Sequence, residues 1–168
     1  LQFPDYQAYW QGHHERFHHY AGKMQQLTRD TGKINNMIIM FYQGLNTFQM
    51  LKRKNAAKLR VIPKKAISTL KAESFHSRWN FRNKVHLLEA ENFSFNNNHD
   101  EAKASYAAAI SAARSSRFLH EQGLACELAA LHYKKIGDNN SAYGFFNQAK
   151  QCYSEWGSEI KVESVTRQ

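Results

Sequence analysis

The feature that most constrains this chain is an internal repeat in its second half. When the sequence is displaced by 40 residues, small residues align with small residues and aromatic residues with aromatic residues. A period of this length is typical of arrays in which each unit buries its apolar face against the next unit. The aligned pairs are Ala90 with Ala130, Phe93 with Tyr133, Ala102 with Ala142, Tyr106 with Phe146, and Ala109 with Ala149.

The residue pattern in each copy of the repeat predicts two helices joined by a short polar turn. In each copy, small and aromatic residues recur at helical spacing, which predicts one buried helix face. These stripes are Ala102, Tyr106, Ala109 and Ala113 in the first copy, and Ala142, Phe146, Ala149 and Tyr153 in the second. Gly137 can end a helix, and Asp138 or Asn139 can cap the helix that follows. Each repeat is therefore predicted to be a helical hairpin.

Helical patterns continue upstream of the repeats. We predict one helix from Pro4 to Asp30, a long helix over 34–52, and a third from Pro63 to about Glu73. Proline suits the first turn of that third helix because its missing N–H would have no helical partner there. The low content of glycine (8) and proline (2) favours helices over a fold with many tight turns.

The predicted fold class is all-α, with about seven helices in antiparallel helix-hairpin repeats that form an α-solenoid. We predict a single helical repeat array over 1–168. Its parts are a leading helix at 1–32, a divergent hairpin with a basic stretch at 33–76, repeats at 79–117 and 118–157, and the start of a truncated helix at 158–168.

The second copy resembles a tetratricopeptide repeat. The residues that carry the resemblance are Ala130, Tyr133, Gly137, Asp138, Ala142, Phe146 and Ala149. The first copy has Asn98 to Asp100 in place of the turn glycine, and the period exceeds the usual length of about 34 residues. The resemblance implies a tetratricopeptide-like array. In such arrays the first helix of each pair lines a groove for partners, which implies partner contacts at Arg82, Asn83, His86, Glu89, Gln122, Cys126 and Glu127.

A further resemblance covers roughly Trp79 to Val165. The segments NFRNKVHLLEAE, FLHEQGLACELAALHY and AKQCYSEWGSEIKVESV resemble the helical repeat region of very large signalling proteins. Those proteins join a kinase-like domain and an AAA-type ATPase domain to a repeat array, and then to a histidine kinase or a nucleotide cyclase. The resemblance implies a non-catalytic connecting or docking segment without a cofactor. Its partner would be another protein or a neighbouring domain of the same chain.

Positive charge is concentrated in the first part of the chain. Residues 1–72 hold 12 Lys and Arg against 3 Asp and Glu, whereas residues 73–168 hold 11 of each. The densest run, 51–65, can be a solvated connector, a docking surface for an acidic partner, or a binder of nucleic acid or anionic lipid. Aromatic residues are not interleaved within it, which disfavours a base-stacking platform. The candidate contacts are Lys52, Arg53, Lys54, Lys58 and Arg60.

The string His14-Glu15-Arg16-Phe17-His18 matches the HExxH pattern of zinc hydrolases. On a helix this spacing places both histidines on one face, with a glutamate available as general base. Catalysis also needs a third protein ligand. The chain has Ala21 and Met24 where one common extension needs glycine and histidine, and no Glu or His follows between 21 and 72. We favour a structural helix, and His14 and His18 stay weak metal candidates.

The sequence has no apolar run long enough for a membrane helix, and Cys126 and Cys152 lack metal-ligand spacing. We expect a cytoplasmic module with reduced, buried cysteines. Because an array cut from a longer protein exposes apolar faces at its ends, we also expect self-association.

The predicted function is a non-catalytic protein-interaction or interdomain scaffold module of a larger intracellular signalling protein. The alternatives are a binder of nucleic acid or an anionic surface through 51–65, and a zinc-dependent hydrolase through 14–18.

Overall fold

The structure, a computed structural model, describes residues 9–27, 33–53 and 57–168. Within these residues lie eight α-helices and one short 3-10 helix, Ala57–Arg60, and no β-strand, which confirms the all-α prediction. None of the described helices is long and apolar enough to cross a membrane. The helices are α1 (His14–Leu27), α2 (Lys33–Arg53), α3 (Val61–His76), α4 (Arg78–Phe95), α5 (His99–Ser115), α6 (Leu119–Lys135), α7 (Asn139–Trp156) and α8 (Glu159–Thr166).

The chain divides into two compact units, Leu1–His76 and Ser77–Gln168. In the first unit, α1 and α3 each pack against α2. The apolar face of α2 supplies most of the core, and the predicted first-turn proline, Pro63, lies in the first turn of α3. Among the described residues of this unit, the large apolar side chains that are fully buried are Phe17, Phe41, Leu45, Phe48 and Leu70.

The prediction of one helix from Pro4 to Asp30 is wrong around Gly12. This residue has a φ of +76°, and its N–H donates to the carbonyl oxygen of Tyr9 at 3.0 Å. A positive φ is incompatible with a right-handed helix, and glycine adopts it most readily. The chain therefore turns before α1 begins at His14. The parts of the predicted helix at 4–8 and 28–30 lie outside the described residues.

In the second unit, helix ends recur every 20 residues. Residues Asn97, Arg117, Gly137 and Gly157 all have positive φ, at 61°, 56°, 83° and 83°. In each turn, the next residue donates its N–H to a carbonyl five residues back, at distances of 2.9–3.0 Å. This bond closes the end of a helix around one left-handed residue. Each 40-residue repeat is thus two helix–turn units of equal length.

The predicted cap and stripes can be compared directly with this unit. The carboxylate of Asp138 accepts the N–H of Ser141 at 3.0 Å, so the predicted cap of α7 is confirmed. Ala102, Tyr106, Ala109 and Ala113 are all buried. In the second stripe Ala142, Ala149 and Tyr153 are buried and Phe146 is half-buried. Cys126 and Cys152 are free thiols buried in the same core.

Helix α6 carries two buried glutamates, and each is neutralised by a lysine from a flanking helix. Lys84 on α4 lies 2.8 Å from Glu121, and Lys161 on α8 lies 2.7 Å from Glu127. Tyr153 on α7 also donates to Glu127, at 2.6 Å. A buried carboxylate is stable only when charge and hydrogen bonds compensate its lost hydration. These contacts fix the register of α6 against three other helices.

Candidate functional site

A groove runs between the first half of α4 and the second half of α5, both in the second unit. It encloses a cavity of about 320 Å³. Helix α4 contributes two arginines and a tryptophan, and α5 contributes small side chains together with the first residue after its end. We define the α4–α5 groove by its lining residues, which are Arg78, Trp79, Arg82, Ala108, Ser111, Ala112, Ser115 and Ser116.

The α5 side of the groove is a face of small residues. Ala108, Ser111, Ala112 and Ser115 occupy positions i, i+3, i+4 and i+7, so they share one helix face. Their short side chains leave the backbone of α5 open to close approach by another chain. The hydroxyl of Ser115 donates to the carbonyl oxygen of Ser111 at 2.9 Å, which satisfies it within the helix.

The α4 side of the groove presents two cationic groups. Arg78 and Arg82 are four residues apart, so their side chains lie on the same side of α4. Both are exposed, and among the residues that the structure describes neither guanidinium has an ion-pair or hydrogen-bond partner. Guanidinium groups bind carboxylates with two parallel hydrogen bonds and give up their hydration more readily than ammonium groups. The pair can therefore receive two anionic groups.

Trp79 stands between the two arginines in sequence and is 60% exposed. Its backbone is held in place, because the hydroxyl of Ser116 donates to the carbonyl oxygen of Trp79 at 3.1 Å. This bond links the start of α4 to the end of α5. An exposed indole on a fixed backbone loses little freedom on binding, and its ring offers a large apolar surface to a partner.

The structure separates the predicted partner-contact residues into two sets. Arg82 is exposed in the groove, and His86 and Glu89 follow it on α4 with 3.6 Å between the His86 ring nitrogen Nδ1 and the Glu89 carboxylate. Gln122 is half-buried on α6. The other three, Asn83, Cys126 and Glu127, are buried, and both Asn83 and Glu127 are hydrogen-bonded inside the unit.

Asn83 and Lys84 both donate to Glu121, and these contacts support the α4 helix beneath the groove. Burial raises the pKa of Glu121, but the His120 ring, 3.6 Å from its carboxylate, and the charge of Lys84 outweigh it and hold the pKa below its ordinary value. The carboxylate is therefore ionised at neutral pH. A charged pair buried at this position anchors α4 to α6 and restrains the outward-facing arginines.

The predicted basic contacts lie in the first unit. Lys52 lies near the end of α2, and Lys58 and Arg60 lie on the 3-10 helix. All three side chains are exposed. The side chain of Arg53 and the whole of Lys54 lie outside the described residues. Lys64 and Lys65 on α3 are exposed as well, so this unit presents several cations to solvent.

The two histidines of the HExxH string occupy different environments. The ring nitrogen Nδ1 of His14 lies 2.7 Å from the side-chain oxygen of Asn46, whose amide donates to the carbonyl oxygen of His14 at 2.9 Å. These bonds hold α1 against α2. His18 lines a cavity of about 620 Å³ beside Met37, Met40 and Ile62. In the described part of the chain, no three His, Cys, Asp or Glu residues are grouped so that they could hold a metal ion.

Sequence reasoning named Arg82 as a partner contact but neither Arg78 nor Trp79. The signal that could have found the groove is the second face of α5, where Ala108, Ser111 and Ser115 repeat at helical spacing opposite the buried stripe. Comparison with known proteins adds nothing to this geometry, since no family model, curated protein or solved structure matches the chain.

Proposed function

We propose that this chain is a non-catalytic protein-interaction module that docks a partner protein or a neighbouring domain in the α4–α5 groove. The observation that carries the proposal is the combination of an exposed Trp79 with two arginines that have no anionic partner among the described residues. Tryptophan and arginine are the residue types most enriched at the energetic centres of protein interfaces.

The form of the groove supports a protein partner over a small molecule. Its lining residues run along two helices, and its α5 side spans more than two helical turns of small residues. Helical arrays use surfaces of this kind to bind extended or helical segments of other chains. The half-buried pair His86–Glu89 lies further along α4 and extends the polar rim of the same surface.

The wider setting is also part of the proposal. The segment that resembles the repeat region of large signalling proteins, 79–165, spans nearly all of the second unit, Ser77–Gln168. We infer that the module works in the cytoplasm as a scaffold within such a protein. On this account the first unit, with its exposed cations, is a divergent extension of the array.

A second candidate function rests on the first unit. Lys58, Lys64 and Lys65 are all exposed, and residues 31–72 contain no Asp or Glu to neutralise them. Such a surface can attract nucleic acid or anionic lipid, with an affinity that falls steeply as salt rises. Binding to an unrelated duplex or to anionic vesicles that does not weaken between about 50 and 200 mM salt would count against this function.

The docking function is tested by affinity capture from a nuclease-treated cell extract. Three baits are compared: the wild-type chain, Arg78→Glu/Arg82→Glu, and a control with two exposed lysines reversed elsewhere, Lys134→Glu/Lys150→Glu. We expect the wild-type chain and the control to retain the same defined proteins and the groove variant to lose them. Equal retention by all three baits would show that the groove does not dock them.

A further inference from the structure

Helix α8 carries an outward-facing acidic pair. Glu159 and Glu163 are exposed and four residues apart, while Lys161 and Val165 on the opposite side are buried. Ile160 lies beside the acidic pair and is 60% exposed. This short helix therefore shows solvent a face that has two carboxylates and one large apolar side chain.

The acidic pair of α8 matches the arginine pair of the groove in spacing. Arg78 and Arg82 on α4 are also four residues apart, and four residues of helix rise about 6 Å. Two Arg–Glu pairs can therefore form together when the two helices lie side by side. Glu163 already pairs with Arg167 at 2.8 Å, but these side chains are 67% and 75% exposed. Such an exposed pair contributes little to stability, so its exchange is easy.

The two surfaces also match in length and in apolar content. Helix α8 has eight residues, and the small-residue face of α5 from Ala108 to Ser115 covers the same number. Both are about 12 Å long. Trp79 and Ile160 are each 60% exposed, and contact between them would remove apolar surface from water.

We propose that α8 of one copy of this chain lies in the α4–α5 groove of a second copy. The inference rests on the proposed function of the groove as a docking surface, and it names the chain itself as one occupant. The acidic face and the groove lie on different helices, so the contact joins unlike surfaces and is head-to-tail. The pair then keeps one free groove on one copy and one free α8 face on the other, so further copies can add.

The experiment is sedimentation velocity on the full chain over a range of concentrations. The variants are Arg78→Gln/Arg82→Gln, which removes the groove charges, and Glu159→Gln/Glu163→Gln, which removes the α8 charges. We expect the wild-type chain to associate and each variant to weaken that association at least tenfold. An equimolar mixture of the two variants still contains one intact groove and one intact α8 face, so it should form dimers and nothing larger.

Three results would overturn the proposal: a wild-type chain that stays monomeric up to about 1 mM, variants that associate as well as the wild-type chain, or a mixture of variants that does not dimerise. A control with one exposed cation and one exposed anion neutralised elsewhere, Lys150→Gln/Glu101→Gln, should behave as wild type. The α8 variant keeps its groove intact. It should therefore still capture other proteins from extract, so that failure of self-association and failure of docking are told apart.

Discussion

The ammonium nitrogen of Lys161 lies 2.7 Å from the carboxylate of Glu127, and both side chains are at least nine-tenths buried. The same lysine lies 5.1 Å from the ring centre of Tyr153, which also donates to Glu127. This three-residue cluster joins α6, α7 and α8. Because α8 carries the acidic face proposed to dock in the groove, the position of that face depends on this buried pair.

Loss of this lysine should destabilise the chain strongly. In Lys161→Met, Glu127 would remain buried without its counter-charge, and we expect a fall of about 3 kcal/mol in the free energy of unfolding. Lys150→Met, at an exposed position, should change it by less than about 0.5 kcal/mol. Urea denaturation followed by circular dichroism measures both. Equal effects of the two substitutions would mean that the buried pair does not hold α8.

Replacing each of two helical glycines by alanine should change the stability of the chain in opposite directions. A Cβ at Gly123 would lie 2.8 Å from Cε1 of Tyr153 and 3.2 Å from Cβ of Cys152, whereas a Cβ at Gly144 would meet nothing within 4 Å. Gly123→Ala should therefore destabilise by about 1–3 kcal/mol through overpacking. Gly144→Ala should stabilise by about 0.5–1 kcal/mol through higher helix propensity. Chemical denaturation that gave both changes the same sign would contradict the α6–α7 packing.

Replacing Arg117 by glycine should stabilise the turn at this position. Arg117 has a φ of 56°, a left-handed conformation that Gly137 and Gly157 adopt at the equivalent turns. Arg117→Gly removes the steric strain of a side chain there, and we expect a gain of about 0.5–1 kcal/mol in unfolding free energy. Gly137→Ala, the reciprocal change, should lose about 1 kcal/mol. Thermal unfolding in which Arg117→Gly melts lower than wild type would argue against this turn geometry.

The free energy of unfolding should decrease as the pH falls from the ordinary pKa of histidine to the lowered pKa of His132. Burial, reinforced by the nearby His99 and Lys135, lowers the pKa of His132 from 6.5 to about 4. Below pH 6.5 the unfolded chain takes up a proton that the folded chain does not accept until about pH 4. The folded state should therefore be most stable above pH 6.5 and lose up to about 3 kcal/mol as pH falls to about 4.

The check on this pH dependence is His132→Gln, which removes the titrating ring. Across several pH values between about 4 and 7.5, the free energy of unfolding of wild type should fall relative to that of the variant as the pH falls. If the difference between the two proteins stays constant across that range, His132 does not titrate with a lowered pKa.

Much of the fold could be predicted from the sequence, because the signals are local. The helical spacing of Ala102 and Tyr106 predicts a buried face, and Gly137 with Asp138 predicts a helix end and a cap. One of the four turns carries no such signal. Asn97 belongs to a residue type that tolerates positive φ, but Arg117 adopts it because helix packing on both sides fixes the turn, and no property of arginine itself reports that constraint.

The candidate site was harder to predict because it depends on pairing between helices. The position of Glu127 in the sequence is typical of a residue that lines a groove. In the structure it is buried and paired with Lys161, which is 34 positions away on α8. Arg78 and Ser111 meet in one groove only because α4 and α5 form a hairpin. His14 and His18 match a catalytic spacing, yet His14 is hydrogen-bonded to Asn46 on the next helix.

The measurement that tests the central claim most directly is site-specific photo-crosslinking. p-Benzoyl-phenylalanine is placed at Trp79 in the groove and, as a matched control, at Tyr143, which is 71% exposed on α7. Both chains are irradiated in cell extract and their adducts are identified by mass spectrometry. The docking account predicts defined protein adducts from position 79 that disappear when Arg78→Glu/Arg82→Glu is added, and none of these from position 143. The same adducts from both positions, or adducts that survive the arginine reversal, would contradict it.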